Sequence, residues 1–314
     1  MKPAHAIKNK STLRRLGCLK GRVVSILVLL LCVEGYGTQR KGKPEITFTH
    51  RERSLQPGEV ILVEARSSRP LKYMNALAFN RTFPVFDEDD GVLWRGLVGI
   101  DLETKAGRYA LVLKGVDLDG KSVTARKIVR VMGKRFPRRI LSVDEKFVTP
   151  PADALSRIRV EGQRVNRIFS TVTPEKIWGG SFQVPVPGAV ISEFGKRSFY
   201  NKKPRSPHSG ADFRGEIGTP IQAPGSGRVA LAADLYFSGN TIILDHGLGL
   251  YSYLGHMSEI SAKEGELVDR GDVVGKVGAT GRVTGPHLHW TVRIGGARVD
   301  PLSLVHILEN SKNY

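Results

Sequence analysis

Two short stretches carry residue types that could do chemistry: Gly285-Pro286-His287-Leu288-His289-Trp290 near the C-terminus, and His208-Ser209-Gly210-Ala211-Asp212 upstream of it. If the first is an extended strand, its period of two puts His287 and His289 on one face and Leu288 on the other. The spacing of four between His208 and Asp212 is also even, which allows both side chains to share one face of an extended segment. Imidazole nitrogens and a carboxylate are the donors of a catalytic zinc centre, where three protein ligands leave a fourth position open. A lone His-x-His is weak evidence, since any half-buried strand can carry it. Its combination with His208-x-x-x-Asp212, and with His256 in Tyr253-Leu254-Gly255-His256, is much stronger. His50, His246 and His306 stay uncommitted, because an isolated histidine is more often a surface or satisfied core residue.

These stretches resemble the lysostaphin and LytM-type zinc peptidases, the twenty-third metallopeptidase family. The resemblance covers about Val184 to Leu308 and rests on several segments. They are Ser192-Glu-Phe-Gly-Lys-Arg197, His208-Ser-Gly-Ala-Asp212-Phe, Gly218-Thr-Pro-Ile-Gln-Ala-Pro224, Gly227-Arg-Val229, Gly239-Asn-Thr-Ile-Ile-Leu-Asp-His-Gly247 and Gly285-Pro-His-Leu-His289. The resemblance implies zinc held by His208, Asp212 and His289. It implies that His287 and His256 act on water and the transition state, with His287 as general base and the two roles exchangeable. It also implies hydrolysis of peptide cross-links in bacterial peptidoglycan. One departure is Tyr253-Leu-Gly-His256-Met257, where the family commonly has Tyr-x-His-Leu; we read it as a difference in packing. The N-terminal part is less specifically similar to the β-sandwich domain that precedes such catalytic domains in some exported peptidases.

The elements that must position these residues read as all-β. Short strands are expected at Glu59–Val63, Leu97–Ile100, Tyr109–Leu113 and Lys127–Val131, with a turn at Asp117–Gly120, and they suggest an Ig-like β-sandwich over residues 43–133. The acidic cluster Asp87–Gly91 lacks the ligand spacing of a calcium loop and reads as a solvated turn. Residues 134–183 form a basic, Pro-containing connector with a helix from about Ala152 to Ser170. Leu155, Ile158, Val165, Ile168 and Phe169 line one side of that helix, which is expected to bridge and brace the two domains. Residues 184–310 read as the zinc metallopeptidase domain, a LytM-type β-sheet of barrel-sandwich form. Within it, Gly265–Gly275 has the paired turns of a hammerhead barrel, but no lysine sits at a tip as a lipoyl or biotinyl carrier requires.

At 314 residues the chain has room for about two domains. Its formal charge is +18. Seven of the 48 Lys and Arg and one of the 30 Asp and Glu lie in residues 1–37, so the remainder holds 41 against 29, an excess of +12. Such an excess suits polyanionic surroundings without choosing among them. Residues 1–37 choose: a basic start, the eleven-residue apolar run Val23–Val33 and small residues at Gly35 and Gly37 read as a signal peptide or, uncleaved, an N-terminal anchor. We therefore expect export to the periplasm or cell envelope, peptidoglycan as partner rather than nucleic acid, and membrane contact only through such an anchor; oligomeric state is not legible. Both cysteines, Cys18 and Cys32, lie in this leader, so no disulfide or thiolate ligand is expected beyond it. Three rival functions compare less well. A catalytically silent LytM-like regulator would have lost zinc ligands. A cupin-type oxidoreductase needs a Glu soon after His-x-His, where this chain has Trp290-Thr291-Val292-Arg293. Polyanion binding alone explains the charge but not the histidine spacing.

Overall fold

The structure, a computed structural model, describes residues 44–142 and 149–309. The N-terminal part is built from β1 (Ile46–Glu52), β2 (Val60–Ser67), β3 (Leu71–Ala78), β4 (Arg81–Asp89), β5 (Leu93–Gly99), β6 (Gly107–Asp117) and β7 (Ser122–Val131). Buried positions on β6 and β7 alternate with more exposed ones, which turns Leu111, Leu113, Val129 and Val131 inward. The strands pair antiparallel in the order β1-β2-β5-β4-β3-β6-β7. The ladder is unbroken, so the layers expected of a sandwich are joined into one sheet. That sheet curls: Lys127 on β7 stands 5.0 Å from the ring of Phe48 on β1. Asp87 acts as a turn former, its carboxylate accepting from the Gly91 N–H at 2.7 Å.

Next come β8 (Arg138–Leu141) and α1 (Ala154–Ser170), then β9 (Val190–Ser192), β10 (Arg197–Tyr200), β11 (Lys203–Pro204), β12 (Ala211–Arg214), β13 (Pro220–Gln222) and β14 (Gly227–Leu235). The chain continues through β15 (Gly239–Gly247), β16 (Leu250–Ile260), β17 (Leu267–Val268), β18 (Val273–Val277), β19 (His287–Ile294), β20 (Ala297–Val299) and α2 (Pro301–Glu309). The main C-terminal sheet runs β17-β14-β15-β16-β19-β12-β9, with β13 and β18 as a flap off β16 and β20 beside β19. β8 pairs parallel with β10, tying the connector to the C-terminal half.

The helix expected to brace two domains does something else. Val165, Ile168 and Phe169 pack on Leu231, Leu235, Ile243 and Tyr251, so α1 lies on the C-terminal sheet. Arg157 pairs with Asp234 and Arg164 with Glu264, both in that same half. The stripe is complementary to an apolar patch of β14–β16, and the polar face follows it there. Leu155, at the start of the stripe, stays 53% exposed.

The two β assemblies instead meet directly. The run Val60-Ile61-Leu62-Val63 is buried at every position, as expected of a strand covered on both faces. Gly99 ends β5 against β20, where a Cβ would lie 2.9 Å from both Ala297 Cβ and Val299 Cγ1. Asp300 and Pro301 open α2 by supplying a cap and a preset φ. Ser303 then accepts from the Val60 N–H at 2.9 Å and donates to the buried Glu59 carboxylate at 2.8 Å. Arg53 completes that cluster, donating to Glu59 and Asp300. A single apolar core therefore runs through both halves.

Asp101 and Arg298 form the outer clamp of this junction, the guanidinium donating at 3.1 and 2.7 Å and the Arg298 N–H at 2.9 Å. Burial works to raise the Asp101 pKa, but the Arg298 hydrogen bonds outweigh it and hold the group at about 2. A carboxylate depressed from 3.8 to about 2 adds about 2 kcal/mol of stability that is complete above the unfolded value and lost as pH falls through the folded one. Denaturant unfolding followed across that range should show this loss in the wild type. In Asp101→Asn the slope should flatten and the stability above it should drop; a wild-type slope in the variant would contradict the clamp.

Candidate metal centre

The antiparallel register of β12 on β19 sets Asp212 opposite His289, Phe213 opposite Leu288 and Arg214 opposite His287. Alternation then sorts the side chains as the sequence spacing suggests. Leu288, Trp290, Phe213 and Ala211 point into the core, and His287, His289 and Asp212 share the other face. His208 reaches the same face by another route. In a straight strand, residues four apart are separated by about 13 Å, yet His208 Nε2 is 3.0 Å from Asp212 Oδ1. The chain bends before β12 instead. At that bend Gly210 passes so close to β19 that a Cβ would sit 2.2 Å from the Trp290 carbonyl oxygen.

Three donor atoms converge: His208 Nε2, Asp212 Oδ1 and His289 Nδ1, at separations of 3.0, 3.1 and 2.8 Å. They are the one group of potential metal-holding side chains that the described residues bring together. The opposite nitrogen of each imidazole is spoken for. His208 Nδ1–H donates to the Glu193 carbonyl at 2.9 Å, and His289 Nε2 meets Thr291 Oγ1 at 2.9 Å. Such contacts fix the tautomer that leaves the other nitrogen's lone pair for a metal. Two neutral imidazoles and one carboxylate fit a borderline-soft divalent ion with an open coordination position.

His287 and His256 flank this set. His287 Nδ1–H donates to the Gly285 carbonyl at 2.9 Å, leaving Nε2 3.8 Å from Asp212 Oδ1. His256 Nδ1–H donates to the Thr280 carbonyl at 3.0 Å, and its ring lies 4.8 Å from that of His287. The departure at Tyr253-Leu-Gly-His256 is more than a packing difference. Leu254 pairs with Ile242 but Met257 with Asn240, so β16 carries one extra residue there, a β-bulge. At the bulge β16 also changes partners, from His289 of β19 at Gly255 to Val277 of β18 at Met257. His256 sits in the fork with φ of +65°, held by its N–H to the Ser238 carbonyl at 2.7 Å. A left-handed non-glycine residue costs on the order of 1–2 kcal/mol, and here it aims an imidazole at the centre.

Burial opposes ionisation of Asp212, yet the hydrogen bonds from His208 and His289 prevail and hold it well below the usual carboxylate range. Burial depresses His208 too, but Asp212 outweighs that and raises its proton affinity. For His289 burial wins and lowers it. Burial and the neighbouring His289 push His256 down to about 4, so it is neutral around pH 7.

All five residues singled out from the sequence are thus brought together. The three left uncommitted lie elsewhere: His50 pairs with Glu52, His306 is exposed on α2, and buried His246 donates to the Ser226 carbonyl while its Nε2 meets Ser252 Oγ. Sequence reasoning missed Thr291, although it continues the 287-289 alternation on the same face. It also missed the Glu193, Thr280 and Gly285 carbonyls, which no residue type announces.

Residues 206–301 match the model of peptidase family M23. The chain is 37% identical over 114 residues to the peptidoglycan DD-endopeptidase ShyA of Vibrio cholerae, a match covering 36% of this chain and 26% of ShyA. With the DD-carboxypeptidase/endopeptidase Mpg of Neisseria meningitidis it shares 39% over 97 residues, covering 31% of this chain and 22% of Mpg. The matches thus span about a quarter of the length of these curated relatives. A crystal structure assigned to peptidase M23 from Pseudomonas aeruginosa aligns with 80% of this chain and 95% of that one, at 32% identity and a TM-score of 0.62.

If Thr291 orients His289, Thr291→Val should weaken binding of a divalent metal about 10- to 100-fold while the fold is kept. Competition with a chromophoric chelator measures this, and an unchanged affinity would remove Thr291 from the centre's support.

Proposed function

The chain belongs to peptidase family M23, and from that premise we propose that it is an exported zinc endopeptidase that hydrolyses peptide cross-links of bacterial peptidoglycan. The observation that carries this reading is the convergence of His208 Nε2, Asp212 Oδ1 and His289 Nδ1 beside two further imidazoles with a nitrogen to spare. The relatives' names, peptidoglycan DD-endopeptidase and DD-carboxypeptidase/endopeptidase, support the substrate class. The basic excess suits an anionic envelope. The leader expected over residues 1–37 lies outside the described residues. Among those described, no helix is long and apolar enough to cross a membrane.

In this reading His208, Asp212 and His289 hold zinc. When bound, zinc brings the ionisation of water into the neutral range and polarises a peptide carbonyl. His287, its Nδ1–H fixed on Gly285, has Nε2 free to accept the proton of the attacking water and to return it to the departing amine. His256 is neutral and its Nδ1–H is taken by Thr280, so its Nε2 accepts a hydrogen bond and orients the water. Asp212, ionised through the working range, balances positive charge that gathers among four imidazoles. A silent regulator would lack part of this set, and no position is missing.

His208→Ala should lose both zinc and the release of peptide fragments from purified peptidoglycan, read by metal analysis and mass spectrometry. Equal release by variant and wild type would refute the zinc mechanism. His287→Ala should keep its zinc while turnover falls about 10²- to 10⁴-fold; loss of metal there would mean that the two histidines of the motif have exchanged roles.

A further inference from the structure

The N-terminal sheet has an outer face, and where β6 meets β7 that face is both basic and apolar. Antiparallel pairing sets Arg130 opposite Arg108, Ile128 opposite Ala110 and Arg126 opposite Val112, and β3 extends the last row with Leu77. Residues opposed across such a ladder share a face, and this one is the reverse of that carrying Leu111, Leu113, Val129 and Val131 into the core. Met132 follows on the same alternation. Leu77, Ile128 and Met132 are 37%, 45% and 51% exposed, so open apolar side chains are interleaved with guanidinium groups.

The charges on this face are uncompensated. Arg108 and Arg130 stand directly opposite each other, an arrangement that destabilises a sheet when no counter-charge intervenes. Among the described residues neither they nor Arg126 has a carboxylate partner. The acidic run Asp87–Asp90 leads into Gly91, whose carbonyl accepts from the Leu71 N–H. Leu71 pairs with Asp117, nine residues and about 30 Å along β6 from Arg108. A groove at the β7 edge, lined by Gly107, Arg108, Ile128, Arg130, Met132 and Gly133, opens beside the facing guanidinium groups. The chain also enters the sheet at this edge. Lys127 covers the Phe48 ring and the Met132 N–H donates to the Leu55 carbonyl at 2.8 Å, so β1 runs beside β7 and the segment ahead of Pro44 joins there.

An anion between Arg108 and Arg130 would remove their repulsion, and the planar guanidinium fork suits phosphate oxygens. A dissolved or wall-borne polyanion would supply the charge but leave Leu77, Ile128 and Met132 in water. The surface of a bilayer supplies both, with phosphates in one layer and acyl chains in the next, and an arginine stem can lie along the apolar layer while its head stays among the phosphates. We propose that this face is a membrane-docking surface. Arg108, Arg126 and Arg130 bind headgroups of an anionic phospholipid, and Ile128 and Met132 sit at the acyl boundary. The inference goes beyond the peptidase reading and stands or falls without turnover.

The test reads contact at the face itself, using the full chain and vesicles with brominated acyl chains that quench tryptophan fluorescence. The native Trp94, Trp178 and Trp290 are buried, so an indole introduced by Ile128→Trp dominates the signal. With phosphatidylglycerol vesicles this variant should lose most of its added fluorescence, and with phosphatidylcholine vesicles it should lose little. A control indole from Leu267→Trp, exposed on β17 in the C-terminal half, should keep its emission in both. Adding Arg108→Gln and Arg130→Gln to Ile128→Trp should abolish the quenching, and added salt should weaken it in the parent. The segment ahead of β1 is the same in every variant, so it accounts for no difference between them. Absence of quenching, equal quenching at the two indoles or in the two lipids, or quenching that survives loss of both arginines would overturn the proposal. So would retention on purified peptidoglycan that depends on the arginines without quenching by lipid, since the face would then serve a wall polymer. Should Ile128→Trp fail to fold, Met132→Trp places the indole on the same face and the same outcomes decide.

Discussion

The antiparallel pairing of β12 with β19 is the constraint on which the rest depends. Its register places Asp212 beside His289 and leaves Phe213, Leu288 and Trp290 to bury the reverse face. A slip by one residue would turn both histidines into the core and expose Leu288 and Trp290, so the register is fixed by the same alternation that builds the site. Fully buried Trp290 is part of this, its indole N–H reaching Ser252 Oγ at 3.2 Å beneath the polar face. Packing energy on one side of the sheet thereby holds in place the donor geometry on the other.

The N-terminal sheet acts on β19 from its other end. Ile294 lies five residues beyond His289, about 17 Å along an extended strand, and belongs to the same core as Phe83, Val98 and Ile100. There β20 and α2 are clamped by Arg298–Asp101 and by the Ser303–Glu59–Arg53 cluster. These contacts stiffen the strand that carries the histidines without approaching them. The helix α1 stiffens the neighbouring sheet in the same sense, with Phe169 edge-on to Tyr251 at 5.7 Å.

Much of this was legible in the sequence where chemistry or alternation leaves a mark. His287, His289, Asp212, His208 and His256 could be singled out because imidazole and carboxylate at strand spacing are uncommon, and the β6–β7 hairpin because its turn residues are distinctive. Strand β4 was passed over, since Pro84 and the acidic run at its end disguise an interior strand. The partner of α1 was misjudged because periodicity reveals that a face is apolar and not what covers it. For His208 and Asp212 the outcome agreed with expectation while the reasoning did not: even spacing suggested a shared face, but a bend at Gly210 brings them into contact. Backbone carbonyls that orient imidazoles have no sequence signature at all.

His256 shows why such a centre resists reading from spacing alone. Nothing in local preference favours a histidine at φ +65°, and sixteen of the other twenty residues with positive φ here are glycine or asparagine. The conformation is held from three sides: the bulge against Asn240–Ile242, the change of partner from β19 to β18, and the Ser238 and Thr280 carbonyls. Backbone strain of this kind persists only where the surroundings over-determine it, and it gathers where geometry serves chemistry. The extra residue that looked like a departure from pattern is what turns the imidazole inward. Removing it would restore a regular ladder and point position 256 away from His287, so the irregularity belongs to the site as much as the histidines do.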